Sequence, residues 1–134
     1  MDLYNRKIIG WAYGKNITAE LATQAVKNAC LNIPDTMGIV LHSELGSQYT
    51  SEELQDQGML HSFSRKGNPY DNACIESFHS VLKKEEVYTT TYYTFEESKS
   101  ALFEYIESFY NRKRRHNALD YKTPQQVEDE ALAA

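Results

Sequence analysis

The chain has 134 residues, of which 41% are hydrophobic and 25% charged, with a formal net charge of −5. That length and balance suit one modest core, so a single domain over residues 1–134 is expected and a disordered chain is excluded. The acidic total argues against undifferentiated attraction to a polyanion, and the apolar runs are too short for a signal peptide or a spanning helix, which predicts a cytoplasmic protein without a membrane partner.

Residues 7–13 (KIIGWAY) are β-branched and aromatic and predict a first strand; residues 37–42 (MGIVLH) predict a second, buried one. Between them Leu21, Ala22, Ala25, Val26, Ala29 and Cys30 recur at helical spacing, with Thr18 placed to cap and Pro34 beyond the end. Cys30 and Cys74 lie far apart and outside any Cys-x-x-Cys or Cys/His cluster, which predicts reduced thiols rather than a zinc site. Thr50-x-x-Glu53 has the form of a capping box for a short helix ending at Gly58. Residues 59–63 (MLHSF) alternate as a third strand with Met59, His61 and Phe63 on one side, and residues 65–72 (RKGNPYDN) read as a loop.

The second half turns helical. From about Asp71, Cys74, Ile75, Phe78, Val81 and Leu82 form one apolar face, and Glu76, His79, Ser80 and Lys83 form the opposite stripe. Asp71 and Asn72 are expected to cap this helix. Thr94-x-x-Glu97 opens another helix, for which Phe95, Leu102, Phe103, Ile106, Phe109 and Tyr110 predict a wide buried stripe. It closes with NRKRRH, cations favourable at the negative end of the helix dipole, and a last short helix is predicted from Thr123.

Charge is unevenly placed. Residues 58–122 carry ten basic and nine acidic groups, and the positive ones bunch at Arg65-Lys66, Lys83-Lys84 and Arg112-Lys113-Arg114-Arg115. Taken alone, such runs are solvated faces or helix-end cations. Glu44, a single carboxylate delivered by the second strand to a turn, is by itself an ordinary turn residue. His42 and His79 read as hydrogen-bonded surface residues rather than metal ligands.

Three long segments change that reading. LHSELGSQYTS (41–51), SRKGNPYDNACIESFHSVLKKEEVY (64–88) and FEYIESFYNRKRRHNALDYKTPQQ (103–126) stand in the order in which they occur in bacterial insertion-sequence transposases, and the chain resembles the C-terminal portion of such enzymes. Their catalytic core is similar to retroviral integrase. The resemblance implies an α/β, ribonuclease-H-like fold, incomplete at the N-terminus and followed by C-terminal helices. It also implies a site in which three carboxylates hold Mg²⁺ or Mn²⁺ for cleavage and strand transfer of DNA.

By motif, Glu76 in DNACIESF falls on the family's helical glutamate, and Glu44 falls where the family has its second aspartate. Both are therefore the candidate catalytic and metal-binding residues. The chain departs from the pattern in three ways. It starts at what resembles the end of the family's second strand, so the first strand and its aspartate have no counterpart, which marks a truncated core. Position 44 is one methylene longer than aspartate, which should weaken a demanding Mg²⁺ geometry. Finally, 31 residues separate Glu44 from Glu76, about four fewer than in the family and so about one helical turn.

The same resemblance makes Arg65, Lys66, Lys83, Lys84, Arg112, Lys113, Arg114 and Arg115 candidate phosphate contacts for transposon-end or target DNA. Three readings follow: a truncated core inactive alone; a non-catalytic module that pairs with itself or an intact transposase, or binds DNA weakly; or a structural remnant with no partner.

Overall fold

The computed structural model describes residues 1–44, 57–65 and 68–134. The predicted helix at Thr50–Glu53 lies outside them, as does Lys66. Along the chain run α1 (Ala19–Leu31), β1 (Val40–Ser43), β2 (Leu60–Phe63), α2 (Ala73–Leu82), α3 (Phe95–Phe103) and α4 (Pro124–Ala133), a mixed helix and strand architecture. The chain divides into two compact units, one made of Met1–Ile8 with Cys74–Ala134 and the other of Ile9–Ala73.

In the Ile9–Ala73 unit, β1 and β2 run parallel, with Val40 opposite Leu60, Leu41 opposite His61, His42 opposite Ser62 and Ser43 opposite Phe63. Because the two strands are parallel, no hairpin joins them. Val26 of α1 and Met59 form its buried apolar cluster, with Cys30, Ile39 and Leu41 packed against it. The alternation at residues 59–63 holds at Met59, 7% exposed, and Leu60, 59% exposed, but fails at Phe63, which is exposed. Thr18 caps α1, its hydroxyl accepting from Leu21 N–H.

The strand predicted at residues 7–13 does not form: these residues join no ladder among the described strands. Asparagine side chains take the place of a neighbouring strand. In this unit, Asn32 Nδ2 donates to the Ile9 carbonyl (2.8 Å) and Asn28 Nδ2 to the Trp11 carbonyl (2.9 Å). Gly10 lies so close to α1 that a Cβ there would stand 2.3 Å from the Ala29 nitrogen. A β-branched run therefore lies along a helix, its carbonyls satisfied by the helix's own amides.

In the other unit, Asn111 does the same with both halves of its amide. Its Oδ1 accepts from Ile8 N–H (2.9 Å) and its Nδ2 donates to the Ile8 carbonyl (3.0 Å). Phe78 of α2 meets Tyr110 edge to face with centroids 4.9 Å apart, and Ile8, Tyr105 and Ile106 complete the buried set. Both long helices widen at their C-terminal ends into π-helical turns, at Lys83–Val87 and Glu104–Tyr110. Tyr88 N–H bonds the Lys83 carbonyl (2.8 Å) and Asn111 N–H the Ile106 carbonyl (3.0 Å), each five residues back.

The wider turn corrects the predicted stripe. A π turn holds more than four residues, so a 3.6-residue pattern drifts off the buried side within it. Tyr105, Ile106 and Tyr110 are buried, whereas Phe103 is 55% and Phe109 41% exposed. Thr94 and Thr123 cap α3 and α4 as expected, Thr123 in a complete capping box with Gln126. Asp71 and Asn72 do not cap α2 directly. They belong to a 3₁₀ turn, Pro69–Asn72, capped by Asn68, and Asp71 is engaged by Arg65.

Candidate active site and its cationic surroundings

Glu44 follows β1 immediately and is exposed. Parallel strands leave their C-terminal ends free for side chains that meet a ligand, and this acid stands at such an end. Neither its carboxylate nor that of Glu76 forms an ion pair with a described residue. Glu76 lies in the first turn of α2, on the face that also exposes His79, Ser80 and, one turn on, Lys83. The helix carries it there because Phe78 turns inward and Cys74, Ile75, Val81 and Leu82 are half-buried on the same side. Glu44 belongs to the Ile9–Ala73 unit and Glu76 to the other.

Behind Glu44 the two strands are cross-linked by hydroxyls and imidazoles. His42 Nδ1 meets Ser62 Oγ at 3.1 Å and His42 Nε2 meets Ser64 Oγ at 3.1 Å. Ser43 Oγ lies 2.6 Å from His61 Nε2. Burial, and then the neighbouring His42, lower the pKa of His61 below the usual histidine value. His42 is thus a hydrogen-bonded residue, in keeping with its sequence reading. Among the described residues no group of three or more His, Cys, Asp or Glu side chains is arranged to hold a metal ion.

The cations fall into two kinds. Arg65 forms a paired fork with Asp71, its Nη2 3.0 Å from Oδ1 and its Nε 3.3 Å from Oδ2, while its backbone N–H also donates to Oδ2. These bonds hold the Asp71 carboxyl below its ordinary range. Arg114 is similarly committed: its Nε lies 3.0 Å from both oxygens of Glu85, of which Oε2 also accepts from Tyr105 Oη at 2.6 Å. Burial, then this carboxylate, push the Tyr105 hydroxyl well above its usual pKa. Lys83, Lys84, Arg112, Lys113 and Arg115 are exposed and form no ion pair with a described residue. The eight candidate cations therefore include two whose charge is already matched inside the fold.

Sequence reasoning missed Asn111 and Glu85 because both act at long range. The strand cross-link had a visible signal, the repeated dipeptides His42-Ser43 and His61-Ser62, but its meaning depends on the parallel register.

Residues 57–124 match the integrase core domain. The chain belongs to the integrase core family. It is 40% identical over 132 residues to the transposase for insertion sequence element IS904 of Lactococcus lactis subsp. lactis, covering 96% of this chain and 52% of that protein. It is 37% identical over 137 residues to transposase InsF for insertion sequence IS3fB of Escherichia coli K12, covering 99% of this chain and 48% of that one. The integrase core described here thus spans about half the length of these relatives. Among its described residues, no helix is long and apolar enough to cross a membrane.

Proposed function

We propose that this chain is a partial ribonuclease-H-like transposase core in which Glu44 and Glu76 are two of the carboxylates that hold Mg²⁺ or Mn²⁺. The observation that carries this reading is Glu76 on the exposed face of α2, inside the segment that matches the integrase core domain. The donor set fits such a metal: both groups are exposed carboxylates, the hard oxygen ligands that Mg²⁺ and Mn²⁺ take, and neither is neutralised by a described cation. When bound, the metal would activate the attacking oxygen and stabilise the leaving oxygen of a DNA phosphodiester.

The residues of this chain do the rest. Glu44 and Glu76 supply negative charge for the metal, and exposed Lys83, Lys84, Arg112, Lys113 and Arg115 supply phosphate contacts that set affinity rather than sequence. The carboxylate at position 44 is a methylene longer than the family's aspartate and should hold Mg²⁺ less well. The 134-residue chain is therefore expected neither to nick nor to join a transposon-end duplex in Mg²⁺ or Mn²⁺. Metal-dependent nicking that disappears in Glu76→Gln would overturn that expectation.

A second reading is favoured by Phe103 and Phe109, large aromatics exposed on one helix, and by Tyr88, exposed just beyond the end of another. In it the chain is a non-catalytic module that pairs with an intact transposase. Co-sedimentation with such a transposase, by a chain without Mn²⁺ affinity, identifies that case.

A further inference from the structure

The peptide bond that leads into Glu44 is held from the neighbouring strand. The Ser43 carbonyl, which belongs to that peptide, accepts two hydrogen bonds from Ser64: one from its backbone N–H (2.8 Å) and one from its hydroxyl (3.2 Å). Ser43 and Ser64 are both buried. A serine hydroxyl has one proton to give. Because Ser64 Oγ gives it to Ser43, it is the acceptor toward His42 Nε2, which must carry a hydrogen. In the neutral ring, Nδ1 is then the acceptor and takes the Ser62 hydroxyl proton at 3.1 Å. The order of donation runs from Ser62 to His42 to Ser64 to the carbonyl that precedes Glu44.

Resting on the reading of Glu44 as a metal ligand, we propose that His42 and Ser64 are positioning residues, which fix the backbone from which the Glu44 carboxylate projects. The longer side chain makes such a device more consequential. Glutamate has one more rotatable bond than aspartate, so a fixed backbone is the remaining means of limiting where its oxygens fall. Chains of hydrogen bonds with every member satisfied are also stiffer than isolated ones. The bonds in question lie wholly within the Ile9–Ala73 unit, on β1, β2 and the residue that follows β2.

The test is Mn²⁺ binding by the full chain, read from the electron paramagnetic resonance signal of free Mn²⁺. Wild type is compared with Glu44→Gln, Ser64→Ala, His42→Ala, His42→Gln, His42→Asn and the two alanine variants combined with Glu44→Gln. Supporting groups behind a metal ligand typically matter by about tenfold or more in affinity, so Ser64→Ala and His42→Ala should each weaken Mn²⁺ binding by about tenfold. In the Glu44→Gln background they should weaken it no further, because a positioning effect needs the group it positions.

The two conservative variants should differ. His42→Gln keeps an N–H donor where Nε2 stands and should retain most of the affinity, whereas His42→Asn keeps only the group facing Ser62 and should behave like alanine. That pair decides the matter even if Ser64→Ala fails to fold, with near-ultraviolet circular dichroism as the check on packing. Unchanged affinity in His42→Ala, equal behaviour of the glutamine and asparagine variants, or losses that add to that of Glu44→Gln would each reduce the network to a structural one and sink the proposal. If Glu44→Gln itself leaves Mn²⁺ binding as in wild type, the metal reading of Glu44 fails, and this inference with it.

Discussion

The two compact units differ in their most sensitive contact: a buried side-chain amide in one, a small apolar cluster in the other. In the unit of Met1–Ile8 and Cys74–Ala134, polar groups bind one another and the backbone beside an aromatic core: buried Asn111 holds Ile8, exposed Glu85 joins Tyr105 to Arg114, and Thr123 closes a capping box. In the Ile9–Ala73 unit a two-stranded ladder, cross-linked by His42, Ser62 and Ser64, packs with a small apolar cluster around Val26 and Met59. A polar anchor is specific and intolerant, since removing one partner strands the other in a dry place, whereas an apolar cluster loses stability in proportion to the volume removed.

That contrast can be broken most sharply at Asn111, which is 1% exposed. Asn111→Leu keeps size but leaves the Ile8 N–H and carbonyl without their partners, and should cost about 3 kcal/mol in denaturant unfolding, at about 1–3 kcal/mol for each stranded group. A loss below about 1 kcal/mol would mean that solvent reaches Ile8. On the other side, Met59→Ala should cost about 2 kcal/mol or slightly more, the low end for large-to-small changes, because the cluster is small and can partly collapse. Met59→Leu should be nearly neutral. If the leucine variant is as damaging as the alanine one, shape rather than volume governs this unit too.

The third expectation separates the cations. Arg114→Ala removes a partly exposed pair with Glu85 and should cost about 1 kcal/mol or less of stability, with little effect on the salt dependence of duplex binding. Arg112→Ala combined with Arg115→Ala should leave stability unchanged and flatten that salt dependence. Filter binding across a salt series, beside thermal melts, reads both, and equal slopes in the two variants would refute the division.

The smallest effect concerns His116, whose ring meets Tyr110 edge to face at 4.9 Å and whose buried Nε2 has no hydrogen-bond partner among the described residues. Burial, and then the Arg114 cation, lower its pKa. A depressed folded-state value means that the unfolded chain takes up the proton first as pH falls. The contribution is therefore fully present above the ordinary histidine value near 6.5 and is lost on acidification below it. His116→Phe should reduce the fall of the melting temperature between pH 7 and pH 5; an identical fall in both proteins would place its cause elsewhere.

What the sequence made legible was local. Thr18, Thr94 and Thr123 could be read as caps because the hydroxyl and the N–H it accepts are three residues apart. Glu76 could be placed on the polar face of α2 because that helix keeps α geometry through Leu82. Residues 7–13 misled because β propensity describes a surface and not a partner, and the amides that replace the partner lie at Asn28, Asn32 and Asn111. Asp71 misled because Arg65 outcompetes the helix N-terminus for its carboxylate. Glu44 is a candidate ligand through the motif alone; no periodicity distinguishes a ligand from a turn residue, and the bonds behind it exist only once β1 and β2 are paired in register.

The π turn at Glu104–Tyr110 bears on how this helix tolerates changes in length. A turn with one residue more than α geometry requires has one residue to spare. Removing one exposed residue from it, such as Phe109, would let the turn tighten to ordinary α spacing, so that a deletion, usually the harshest change inside a helix, should here be milder than the same deletion in α2.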